Sequence, residues 1–238
     1  MGLPKVNTPE YTLNIPSTDE EIKFRPFLVQ EEKLLLIAQQ TGSDKAMMDA
    51  IRKLIENCCF GELNLDKMPL FDMEYLFLQI RAKSVGEVVE LNVTCPDDKK
   101  TEVKIEVDLS TIQVQMSDDH DPRIQLTDDI GLLMAYPSIT TMSGMQGVKT
   151  DGAEGVETLF EMICNCMYQV WQGEEVHDCM DYTEKEKMDF LNSLNHEQFE
   201  KIQTFFDTMP TVKHEVEVYN PKTKKKSSLT LQGMNSFF

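Results

Sequence analysis

Two parts of the chain carry donor atoms at spacings that could do metal chemistry. Cys164-Asn-Cys166 and His177-Asp-Cys179 together supply four nitrogen and sulfur ligands, a set that suits tetrahedral Zn²⁺. A zinc-binding regulator or enzyme built on Cys164, Cys166, His177 and Cys179 is therefore one reading. Its difficulty is geometric: on a helix, residues two apart point about 200° away from each other around the axis. Cys164 falls on an apolar stripe and Cys166 does not, so buried thiols acting as small hydrophobes are the expectation. The second part is an internal repeat. Val93-Thr-Cys-Pro-Asp-Asp-Lys-Lys100 and Val218-Tyr-Asn-Pro-Lys-Thr-Lys-Lys225 share the pattern V-x-[CN]-P-x-x-K-K at the tips of two predicted hairpins. A zinc ribbon needs a second Cys within about four residues of the first and another pair opposite. Asn220 has no thiolate, and Asp97 and Asp98 are poor substitutes for sulfur. Two plain hairpins with Pro-directed turns are expected, with no metal and no cofactor.

Other catalytic signatures are missing from the sequence. The chain contains no GxGxxG, no Gly-Lys-Ser/Thr phosphate loop, no GxSxG and no HExxH. The acidic run Ser117-Asp-Asp-His-Asp121 lacks the alternating ligands, Gly and Glu of an EF-hand, so a solvated loop is expected. No catalytic residue is assigned, and the chain is read as a non-enzyme. What remains is adhesion. The chain holds 15 Met, a residue that suits surfaces able to repack, and it closes on Phe237-Phe238. The candidate partner-binding residues are Met142 and Met145 in a Gly-rich loop and Met234, Phe237 and Phe238 in the tail. The two terminal aromatics either insert into a neighbour or fold back onto their own core.

The elements that must position these residues read as α+β. The 238 residues suffice for one large domain or two small ones. Strands are predicted at Tyr11–Ile15 and Glu21–Arg25. Helices follow over 30–40, after the Ser43 cap with an apolar face from Met47 to Cys58, and from the Asp72 cap to about Ala82. A β-hairpin occupies 87–108, and short strands are expected at Thr111–Gln115, Arg123–Leu126 and Leu132–Tyr136. Residues 137–155 read as a mobile Gly/Ser/Thr loop separating a mixed part, 1–136, from a helical part, 156–238. That rear part begins with a helix running from Val156 through Trp171. It continues with helices opened by Thr183 and Asn195 capping boxes, and ends in a hairpin over 212–231. The whole is consistent with a single domain as well.

Charge narrows the partners. The net charge is −18, and residues 111–210 carry 19 acidic against 5 basic groups, whereas 211–238 carry 2 against 5. A surface this acidic disfavours nucleic acid and anionic membranes and favours oppositely charged protein neighbours. No apolar run is long enough to span a bilayer, and the start of the sequence has no secretory apolar region. Six Cys without a framework spacing suggest reduced thiols in a cytosol.

A set of landmarks runs in order along almost the whole chain: Leu13-Asn-Ile-Pro-Ser-Thr18, Ile22-Lys-Phe-Arg-Pro-Phe-Leu-Val-Gln-Glu-Glu-Lys33, Ile80-Arg-Ala-Lys-Ser-Val-Gly-Glu87 with the following Cys-Pro hairpin, Tyr136-Pro-Ser138, and the closing Leu231-x-Gly-x-x-x-Phe-Phe238. In these the sequence resembles the T-even-type myophage baseplate hub family. The resemblance implies a hub subunit or hub assembly chaperone that is not an enzyme. Such a protein would act in the cytoplasm of the infected bacterium on other baseplate hub or tail proteins, or on a second copy of itself. A permanent place in the virion baseplate is the alternative. The resemblance supplies no catalytic residues.

Overall fold

The protein is described by a computed structural model over residues 7–143 and 153–237. In chain order the elements are β1 (Tyr11–Asn14), β2 (Glu21–Phe24), α1 (Val29–Thr41), α2 (Asp44–Cys58), β3 (Cys59–Phe60) and α3 (Leu70–Val85). There follow β4 (Val88–Thr94), β5 (Glu102–Asp108), β6 (Val114–Gln115), β7 (Arg123–Gln125), β8 (Ile130–Met134), α4 (Ile139–Ser143) and α5 (Ala153–Cys166). The last are β9 (Met167–Gln172), β10 (Glu175–Asp178), α6 (Glu184–Asn192), α7 (His196–Thr208), β11 (Thr211–Asn220) and β12 (Lys225–Gln232). Helices and small antiparallel sheets make this an α+β chain.

The chain divides into two compact units: 1–65, 71–115 and 211–238 form the first, 66–70 and 116–210 the second. The C-terminal hairpin thus belongs with the N-terminal elements, so the division does not follow a boundary at 137–155. In the first unit β1, β2 and β3 form one sheet, β4 and β5 a second, and β12, β11 and β6 a third. Alternation is clean along β4, where Val89, Leu91 and Val93 point inward and Val88, Glu90 and Asn92 outward. Helix α3 is buried on nearly every side through Met73, Leu76, Phe77, Leu78 and Ile80. Helix α2 is amphipathic, with Ile51, Leu54, Ile55 and Cys58 wholly enclosed. Helix α1 turns little of its apolar content inward. Ala38 is buried, but Leu34, Leu36 and Ile37 are exposed, and the residue that faces inward at the start is Glu31. Asp72 departs from expectation: the helix begins at Leu70, and the buried Asp72 carboxylate accepts a hydrogen bond from the Ser17 N–H at 3.0 Å instead of capping.

The second unit is a four-stranded sheet in the order β10-β9-β8-β7 with α5, α6 and α7. Its core contains Ile124, Leu132, Met134, Ile163, Cys164, Leu191, Ile202 and Phe205. The caps are as predicted. Thr183 Oγ1 accepts from Glu186 N–H at 3.3 Å while Glu186 Oε2 accepts from Thr183 N–H at 2.8 Å, and Asn195 and Gln198 repeat the exchange at 3.0 and 2.8 Å. The rear helix does not reach Trp171. It stops at Cys166, and Met167–Gln172 becomes β9, paired with β8 on one side and β10 on the other. Met-Tyr-Gln-Val-Trp-Gln is also good strand material, and two ladders outweigh the helical period. Within the predicted loop, Ile139–Ser143 and Ala153–Gly155 are helical, and 144–152 lie outside the described residues.

Candidate functional site

The repeated turn is the best-built polar site. In both copies the residue after Pro-x-x, Lys99 or Lys224, takes a positive φ (53° and 58°). Each closes the same turn, Lys99 N–H to Cys95 O at 3.0 Å and Lys224 N–H to Asn220 O at 2.9 Å. Each turn is then pinned by one side chain. Asp98 accepts from the N–H groups of Lys100 and Thr101 at 3.0 and 2.9 Å and from the Thr101 hydroxyl at 2.6 Å. Asn220 Oδ1 accepts from the N–H groups of Lys222 and Thr223 at 2.9 and 3.3 Å.

The two tips meet. The Asn220 side-chain amide donates to Asp97 Oδ1 at 2.8 Å, and the Thr223 hydroxyl donates to Asp97 Oδ2. Hydrogen bonds from Thr223 and then Asn220 hold the Asp97 carboxyl below the usual carboxylate range. The Thr101 hydroxyl and the backbone N–H groups beside it do the same for Asp98. Burial, reinforced by the Asp97 and Asp98 charges, raises the Cys95 thiol. The positions where a zinc ribbon would place its further sulfurs hold Asp98, Asn220 and Thr223. Their polar atoms bond to the turns and to each other, so the junction is a hydrogen-bonded clasp.

The Cys/His set is not brought together as four ligands. Cys164, Cys166 and Cys179 are buried, and Cys179 lies close enough to Cys164 to feel its charge, but the turn of α5 sends Cys166 elsewhere. Burial pushes the Cys166 thiol up to about 12. His177 Nδ1 is engaged with the Tyr182 hydroxyl at 2.8 Å. Among the described residues, no three or more His, Cys, Asp or Glu side chains are grouped so as to hold an ion.

The tail takes one of the two courses left open for it, folding back at Phe237. Residues Met234–Phe237 form a short 3₁₀ turn, and Phe237 is fully enclosed, its carbonyl accepting from the Arg81 guanidinium. Phe237 is a core residue here because its ring and main chain both find partners in the first unit. Phe238 and Met145 lie outside the described residues, whereas Met142 sits in α4 and Met234 in the final turn.

One polar residue escaped the sequence reading. His120, from the acidic loop, turns inward with Nδ1 3.0 Å from Thr208 Oγ1 and Nε2 3.0 Å from the Tyr136 hydroxyl, packed against the Tyr136 and Phe205 rings. Nothing local marks it, since its partners are distant in sequence. Burial lowers its pKa more than Asp121 raises it. The stability from a neutral His120 is therefore full above the ordinary imidazole value of about 6.5 and is lost as pH falls below it toward the folded value. His120→Ala should cost about 1–3 kcal/mol and flatten the stability of the second unit between about pH 5 and 7.5. Urea unfolding at both pH values measures this.

No helix among the described residues is long and apolar enough to cross a membrane. No curated protein and no solved structure matches the chain. The family model for the T4 bacteriophage base plate protein matches residues 8–238. A match of that extent takes in both units, both hairpins and the clasp between them, and the chain therefore belongs to the T4 bacteriophage base plate protein family.

Proposed function

We propose that this baseplate protein acts in building the baseplate hub, as a non-enzymatic, chaperone-like factor working through protein–protein contacts in the cytoplasm of the infected cell. The family match over residues 8–238 carries the baseplate assignment. The ordered landmarks from Leu13 to Phe238 support the narrower hub reading. Its partners are other hub or tail proteins, or a second copy, and neither nucleic acid nor membrane. The contacts are assigned to the segment 137–155 with Met142 and Met145, and to Met234 and Phe238 at the tail.

Mass spectrometry of purified particles separates the two forms of this reading. An assembly factor is abundant in infected-cell lysate and absent from mature particles, whereas a permanent baseplate component persists at fixed stoichiometry. Because Phe237 is in the core, deletion of the whole tail would confound folding with binding. Removal of Phe238 alone, and Met142→Ser with Met145→Ser, are the clean variants. Reduced capture of tagged hub proteins by either supports these contacts, and undiminished capture removes them.

A further inference from the structure

The acidity of the chain is concentrated. The second unit holds 20 acidic and 6 basic residues, a net charge of −14, against −4 for the first. Within it, a trough of about 320 Å³ opens between the sheet and α6. Its floor and walls are mainly apolar, formed by Ile130, Met167, Val170 and Phe190. Near it in the chain Met180 is 76% exposed, whereas Val176, 60% exposed, alternates with His177 along β10 and so faces the other side of the sheet. Strand β10, which contributes His177 to the trough, is a terminal strand of its sheet. Such a strand can accept another chain alongside it. The lining itself holds one carboxylate, Glu186, and one lysine, Lys187, and the stretch of chain from Gln172 to Phe190 that supplies most of it contains seven carboxylates and two lysines.

A largely apolar trough, a terminal strand and a bordering stretch of predominantly negative charge together specify an occupant. We infer that the trough beside β10 docks an extended basic segment of another protein, one that alternates Lys or Arg with large apolar side chains. The apolar side chains fill the trough while the cations meet Glu174, Glu175 and Asp181. Strand geometry supports this match, because alternate side chains of an extended segment point to opposite sides. Complementary charge also speeds the encounter and rejects acidic competitors. The inference rests on the reading of this protein as one that works by contact.

The test uses the purified full chain and a fluorescent, about seven-residue peptide alternating Lys with Phe and Leu. Its counterpart carries Glu at every Lys. The basic peptide should raise anisotropy saturably, more weakly at higher salt, and the acidic one should not. Glu174→Lys/Glu175→Lys/Asp181→Lys should weaken binding by roughly tenfold or more. Val170→Ser, which makes one wall polar without changing charge, should weaken it too; circular dichroism confirms that each variant is folded. Absent binding, equal binding of the acidic peptide, or indifference to both variants would overturn the proposal. So would self-association of the wild type that Val170→Ser abolishes, since the occupant would then be a second copy. A failed peptide titration beside a positive result on particles would sink the trough and spare the hub reading.

Discussion

Replacing Glu31 with Gln is expected to lower the stability of the first unit by about 3–5 kcal/mol, the largest effect of any single polar substitution proposed for this protein. Glu31 is wholly buried at the start of α1, yet it is charged and satisfied from all sides. Arg25 donates from Nη2 at 3.2 Å and from Nη1 at 3.4 Å, Leu28 N–H at 2.8 Å, Gln30 Nε2 at 2.6 Å and Asn57 Nδ2 at 3.3 Å. One carboxylate thereby ties the end of β2 to α1 and α2. Glutamine keeps the shape, but its amide nitrogen would face donors, and Arg25 would lose its counter-charge in a poorly solvated place. Breaking a buried pair from one side costs more than the pair itself is worth.

Burial raises the Glu31 pKa. The hydrogen bonds from Arg25, Leu28 and Gln30 and the Arg25 charge outweigh it, and the net shift is downward. A depressed carboxylate contributes stability that is present above the ordinary Glu value of about 4.3 and is lost as pH falls through the lower folded value. Urea unfolding across that range should show the acid loss in wild type and a smaller one in Glu31→Gln. Replacing both partners, Arg25→Met with Glu31→Leu, should recover much of the loss, since neither charge is then stranded. A double variant as unstable as the single one would mean that the carboxylate geometry matters beyond its charge.

The second large effect is expected at the clasp. Asn220→Ala should cost about 2–3 kcal/mol, because it deprives the turn N–H groups and Asp97 of a partner that is 1% exposed. Asn220→Asp separates the two jobs of this side chain. The new carboxylate still accepts from Lys222 and Thr223, so the turn persists, but it sets an oxygen against Asp97 where an N–H stood. At neutral pH this substitution should therefore be worse than alanine, and acidification should relieve it as one of the two carboxyls takes a proton. Wild type should behave oppositely. The lowered Asp97 and Asp98 lose their contribution as pH falls below about 4. Amide exchange of β4, β5, β11 and β12 is the sharper readout. Faster exchange at both tips in Asn220→Asp, with β1 and β2 unchanged, identifies the clasp as what joins the hairpins.

Much of the secondary structure could be read from neighbouring residues. Ser43, Thr183 and Asn195 mark helix starts because a short polar side chain satisfies N–H groups that the first turn leaves free. Gly42 ends α1 with φ 62°, and the alternation in 88–93 and 103–107 marks one wet face and one dry face. The repeated V-x-[CN]-P-x-x-K-K was legible as one turn used twice. The apolar residues of Met167–Gln172 satisfy a helical period as well as a strand, and only the ladders to β8 and β10 decide between them.

The sequence by itself determined the α+β class, the caps of α2, α6 and α7, both long hairpins, the concentration of negative charge and the resemblance to a baseplate family. Each of these depends on residues close in the chain or on composition. Tertiary structure alone decided that Phe237 is enclosed, that His120 reaches Tyr136 and Thr208, that the C-terminal hairpin joins the first unit, and that Asn220 meets Asp97 from the other hairpin. The reason is that a side chain's periodicity reports which way it points. What it meets there depends on how distant segments close around it, and that closure has no local signature.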